Sequence, residues 1–162
     1  MGMNHFVLKA AAVVIFPLVA GCATMSSPPQ PSVAQQAVAS DGEFWRLAAR
    51  KLSKGSCGLF LWTKSSDRKL VFFSTPNGSA SVVLGGAEVE LERSAVEGAE
   101  VLGLYERQTF TRPSERLQVT VGFERRPGMD RGVVVPQGSL RLVRPDGWEM
   151  ILPVGGLVAC EQ

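Results

Sequence analysis

The chain has 162 residues, and its 17 Lys and Arg against 15 Asp and Glu give a net charge of +2, too small to mark a nucleic-acid-binding surface. Its one histidine is His5, and its cysteines are Cys22, Cys57 and Cys160. Beyond residue 5 there is no imidazole, which excludes Ser-His-Asp and Cys-His nucleophile systems, histidine metal sites and imidazole proton shuttles there. No catalytic residue, metal or cofactor is expected.

Residues 1–40 carry almost no charge. Lys9 precedes Ala10 to Ala20, an apolar run broken only by Pro17. Spanning a bilayer takes about 20 apolar residues, so the run predicts the core of a secretory signal instead. The segment Leu18-Val19-Ala20-Gly21-Cys22 resembles the lipobox of bacterial lipoproteins. The resemblance implies that residues 1–21 are a cleaved signal peptide and that the Cys22 thiol receives a diacylglyceryl group. It also implies that the new amino terminus is acylated, as by palmitate. With Ala23 where Asp retains family members in the inner membrane, it further implies the outer membrane, with the protein facing the periplasm. Each buried methylene contributes about 0.8 kcal/mol, so two or three acyl chains hold such a protein permanently. Removing residues 1–21 takes away His5 and Lys9. Residues 22–40 then form the lipidated cysteine and a tether, since residues 23–40 are uncharged and rich in Pro, Ser, Gln and Ala. Eighteen residues of this kind reach about 60 Å at full stretch and about 25 Å relaxed.

Residues 41–162 read as a single β domain with a short N-terminal helix. Ser40 and Glu43 have capping-box spacing, Phe44, Leu47, Ala48 and Leu52 recur at helical period, and Lys54-Gly55 is a stop signal. From Cys57 the pattern turns to strands. Cys57 to Thr63 and Leu70 to Ser74 are apolar runs, and Ala80 to Leu84 and Ala87 to Arg93 flank the Gly85-Gly86 hairpin turn. Glu100 to Phe110 is a poorer strand, whereas Leu117 to Phe123 alternates cleanly. Arg125 to Gly132 reads as a loop. Val133 to Val135, Ser139 to Val143, Trp148 to Val154 and Leu157 to Cys160 complete the set, with a Pro145-Asp146-Gly147 turn between the last long pair. About 8–9 strands with turns every 8 to 12 residues predict an all-β antiparallel barrel or sandwich.

Cys57 opens the first strand and Cys160 ends the last. An even pair in an exported domain predicts a disulfide, which requires neighbouring first and last strands and so favours barrel closure. A loop of about 100 residues gives an upper expectation near 5 kcal/mol from chain entropy.

Three surface features could carry function. Glu88, Glu90 and Glu92 project from one strand face about 6.6 Å apart, which overlaps the carboxyl spacing of inverting glycosidases but equally describes a wetted face. Residues 41–69 are net +4 and residues 70–99 net −3, so a basic segment near the anchor could rest on anionic headgroups or cell-wall polymers. Arg112, Arg116, Arg125, Arg126 and Arg131 lie in or beside two loops that could form one binding rim for carboxylates or phosphates, with Glu115, Glu124 and Asp130 at hand as ion-pair partners. Trp45, Trp62 and Trp148 read as packing residues.

The leading functional expectation is a lipid-anchored envelope lipoprotein. It would act as a noncatalytic binding or structural module, partnered with the membrane and with an envelope protein or cell-wall polymer. The combination of lipobox, tether, small barrel and terminal disulfide also resembles, in layout, the membrane-bound inhibitors of c-type lysozyme. Glu97-Gly98-Ala99 and Tyr105 loosely match that family's Ser-Gly-Ala-x-Tyr segment, lacking its serine and with the tyrosine displaced. That resemblance implies an inhibitor of lysozyme-like enzymes. A carboxylate-based cell-wall hydrolase is a further alternative.

Overall fold

A computed structural model describes residues 44–162, so the signal segment, Cys22, the tether and the start of the expected helix lie outside the described residues. Eight strands follow one another: β1 (Cys57–Thr63), β2 (Leu70–Ser74), β3 (Ser79–Leu84), β4 (Ala87–Val101), β5 (Leu104–Arg112), β6 (Glu115–Val121), β7 (Gly132–Val143) and β8 (Glu149–Cys160). Each pairs antiparallel with the next, and β8 returns to β1, closing the barrel. The expected all-β antiparallel barrel is what the chain forms.

Closure is sealed where the sequence placed its cysteines. The β1–β8 ladder runs from Cys57↔Cys160 to Thr63↔Val154, and the disulfide joins its first pair. The ladder demands a glycine at position 156, because a Cβ there would stand 1.9 Å from the carbonyl oxygen of Phe60. Alternating side chains such as Leu59, Leu61, Phe72, Phe110, Leu140 and Val158 point inward and are fully buried, forming one contiguous core. Eight strands leave an interior just wide enough for side chains, and this barrel is filled by them.

Two of the expected strand pairs are single strands. Val133 to Val135 and Ser139 to Val143 belong to β7, which bulges between Val135 and Gly138 where Pro136 has no amide hydrogen to donate. Trp148 to Val154 and Leu157 to Cys160 belong to β8, continuous through Gly155 and Gly156. The strand expected over Glu100 to Phe110 is β5 from Leu104 onward, while its first residues end β4 and turn the β4–β5 hairpin. Val101 pairs with Leu104 across Leu102 and Gly103, both at positive φ (55° and 79°).

The expected N-terminal helix is absent from residues 44–54, which instead form an extended strap. β2 and β3 pair only at Phe73↔Ser81 and Ser74↔Ala80 and then diverge. The strap fills the opening. Phe44 bridges to Leu84, the Trp45 amide donates to Val83 O at 3.0 Å, and the Leu47 amide donates to Leu70 O at 2.7 Å. In a helix, residues three apart share a face, whereas in an extended chain they point to opposite sides. Phe44 enters the interior core, while Leu47 joins a second cluster on the outer wall with Phe60, Leu70 and Val83, supported by Leu52, Phe73 and Leu157. Two separate cores claim the strap, and a single helical face could serve only one.

Candidate functional site

Turns at alternate ends of an up-and-down barrel decide which loops can meet. The β1–β2, β3–β4, β5–β6 and β7–β8 turns share one end. The β2–β3, β4–β5 and β6–β7 connections share the other with the disulfide. Arg112 and Arg116 flank the β5–β6 turn, while Arg125, Arg126 and Arg131 lie in the β6–β7 loop. The length of β6 separates the two groups, so the five arginines do not make one rim. Arg112 pairs with Glu115 at 2.9 Å and Arg126 with Glu124 at 3.0 Å, as expected of surface ion pairs. The Arg131 carbonyl accepts the Cys160 amide at 3.2 Å, tying the loop to the sealed seam.

Glu88, Glu90 and Glu92 stand exposed on the outer face of β4, and Glu88 forms an ion pair with Arg50 of the strap. Beyond them the β4–β5 hairpin is bare on β4 from Ser94 to Glu100. Glu97 pairs with Arg107 at 3.0 Å, and the Ala99 amide donates to Glu106 Oε2 at 3.1 Å. At its base Arg93 donates to Gln108 Oε1 (3.0 Å) and Pro76 O (2.8 Å), and its guanidinium lies 5.5 Å from the centre of the Tyr105 ring. The Tyr105 hydroxyl donates to Glu100, and this hydrogen bond together with the adjacent negative charge pushes its pKa above the ordinary phenol value.

Two of the tryptophans depart from the expectation of packing, while Trp62 packs against the outer-wall cluster. Trp45 (55% exposed) and Trp148 (37%) are on the surface, with the Arg144 guanidinium 4.6 Å from the centre of the Trp148 ring. Trp62 is half-buried on the outer face of β1, stacked beside Phe60 with ring centroids 6.0 Å apart. It separates two concavities of the outer wall. One, of about 620 Å³, runs over β1, β8 and β7, lined by Trp62, Lys64, Arg68, Pro136, Gly155 and Leu157 among others. The other, of about 560 Å³, continues beneath strap residues Arg46 to Arg50 over Phe60, Leu70 and Ala159.

The first concavity has a built edge. Trp62 faces Gly155 directly across the seam, and the Lys64 ammonium reaches over to donate to Pro136 O at 2.6 Å. Arg68 sits in the β1–β2 turn at φ 37°, a conformation that L side chains rarely adopt. The turn around it is cross-linked. Asp67 accepts from Ser65 at 2.7 Å and pairs with Lys69 at 3.2 Å, and the Ser65 hydrogen bond is the main influence holding the Asp67 carboxyl below its ordinary pKa. That stabilisation is present above the ordinary carboxylate pKa and lost as pH falls through the lowered value, so the turn is intact at neutral pH.

Sequence reasoning missed this surface because its walls come from strands at opposite ends of the chain. The signal that could have found it was the disulfide itself. With Cys57 opposite Cys160, counting five residues inward from each brings Trp62 opposite Gly155. No protein-family model, curated protein or solved structure matches this chain.

Proposed function

We propose that this chain is a lipid-anchored module of the bacterial cell envelope, noncatalytic, which binds another envelope component on the outer wall of its barrel. One observation carries the binding reading. The interior is filled with side chains, and the concave surface with exposed cations lies outside, over β7, β8 and β1. The anchoring part rests on the lipobox-like segment ending at Cys22. Placement in the outer membrane, facing the periplasm, follows from the same resemblance.

The test has two arms. Palmitate incorporation in cells should be lost with Cys22→Ala, and labelling that survives the substitution overturns the anchor. A photo-crosslinking residue at Val134, beside the concavity, should give a discrete adduct in the envelope, while one at Glu90 on the opposite wall should not. Equal adducts from both positions, or none from either, overturn the assignment of binding to this wall.

A second reading, inhibition of a lysozyme-like enzyme, is favoured by the exposure of Glu97, Gly98 and Ala99 on the bare hairpin. Lysozyme turnover that is unchanged by micromolar purified protein removes it.

A further inference from the structure

We propose that the concavity over β7, β8 and β1 takes a polysaccharide carrying carboxylate groups, with a sugar ring against Trp62 and its carboxylate at Lys64 and Arg68. This rests on the binding-module reading and names the ligand of the same surface.

The charge of the concavity sets the sign of the ligand. Lys64 and Arg68 line it, and none of its lining residues is acidic. Lys64 spends one of its three donors on Pro136 O, which fixes the ammonium at the edge with two donors left over. The Arg68 side chain has no hydrogen bond or ion pair among the described residues, while Asp67 beside it is engaged by Ser65 and Lys69. A non-glycine residue at positive φ is strained, and such strain gathers at binding sites. Asn or Gly would relieve it at position 68, yet the position holds a cation directed to the concavity.

Shape sets the class. An extended peptide binds to a sheet by pairing with a free strand edge. Here every strand is paired on both sides around the closed barrel, and the strap fills the divergence of β2 and β3. What the surface offers instead is an indole beside a floor of bare backbone at Gly155. A side chain there would come within 3.3 Å of Lys64 Cε and Val135 O. A pyranose ring is flat, presents apolar C–H faces to an aromatic ring and needs no ladder. A carboxylate on that ring supplies the counter-charge.

The experiment titrates the purified mature chain with two matched probes. One is a peptide-free oligosaccharide of alternating N-acetylglucosamine and N-acetylmuramic acid, whose lactyl groups are carboxylates. The other is a chito-oligosaccharide of equal length that lacks them. The carboxylated probe should bind at least about tenfold more tightly, and the difference should shrink with added salt. Arg68→Asn should weaken its binding by about tenfold while the unfolding midpoint holds or rises, a combination that a merely structural arginine would not give. Lys64→Gln should weaken binding in the same direction. Equal affinity for both probes, or binding unmoved by both substitutions, overturns the proposal. So does tighter binding to polyglutamate or to phosphatidylglycerol vesicles. An adduct from Val134 in cells together with no saccharide binding overturns the ligand class alone and leaves the binding-module reading standing.

Discussion

β1 and β4 stand on different walls of the same barrel and are finished differently. β1 is buried on both faces, with Leu59 and Leu61 inside and Phe60 under the strap. β4 buries only its inner face and shows water a row of glutamates. The first reads in sequence as an unbroken apolar run, the second as strict alternation, and the difference marks where a second layer of chain is needed. Apolar residues on the outer wall created a need for cover, which the strap meets. They also left a concavity where the cover stops.

The contrast can be broken most severely at Phe44. Phe44→Ala should cost about 3–5 kcal/mol in denaturant unfolding, because the side chain fills the interior core from the strap. The matching change on the bare hairpin, Val96→Ala, should stay within about 0.5 kcal/mol, since Val96 is 42% exposed. Comparable losses at the two positions would remove the distinction between covered and uncovered walls.

A smaller effect of opposite sign is expected at the hairpin tip. Leu102 occupies the left-handed region at φ 55° and is exposed, so Leu102→Asn should raise stability by about 1 kcal/mol. An unchanged or lowered unfolding midpoint would contradict this.

The subtlest difference is a titration. Tyr105 is the only tyrosine, so phenolate absorbance reports it alone, and its midpoint should lie above the ordinary value of about 10. The folded-state pKa is raised, so the Tyr105–Glu100 pairing contributes stability below the ordinary value. That contribution is lost as pH rises through the folded value. Glu100→Gln should bring the midpoint down towards the ordinary value. A midpoint insensitive to Glu100→Gln would dissolve the pair that stands beside the hairpin turn.

The strands were legible because period-two alternation survives wherever one face meets water, and the cysteine pairing because Cys57 and Cys160 mark the two ends of the strand set. The strap was not, because Phe44, Leu47 and Leu52 have spacings that suit one helical face as well as a chain dividing its side chains between two cores. The turn at Leu102-Gly103 hid behind a leucine in a conformation usually left to Gly or Asn. Pro136 and Gly155-Gly156 looked like strand breaks because a bulge and a close seam use the same residues as a turn. The five arginines lie in or beside two consecutive loops, and successive turns of an up-and-down barrel fall at opposite ends. The concavity was least legible, since Trp62 meets Gly155 and Pro136 only after closure.

The terminal disulfide also changes what a cut does. The β6–β7 loop exposes Arg125 and Arg131, and the bonds that follow them are targets for arginine-directed proteases, whereas Pro127 blocks the bond after Arg126. Cleavage there places Cys57 on one fragment and Cys160 on the other, so the nicked protein keeps its mass apart from one added water and separates only after reduction. In an oxidising compartment the two fragments stay covalently linked, so a nick in the loop where the chain is easiest to reach releases neither of them.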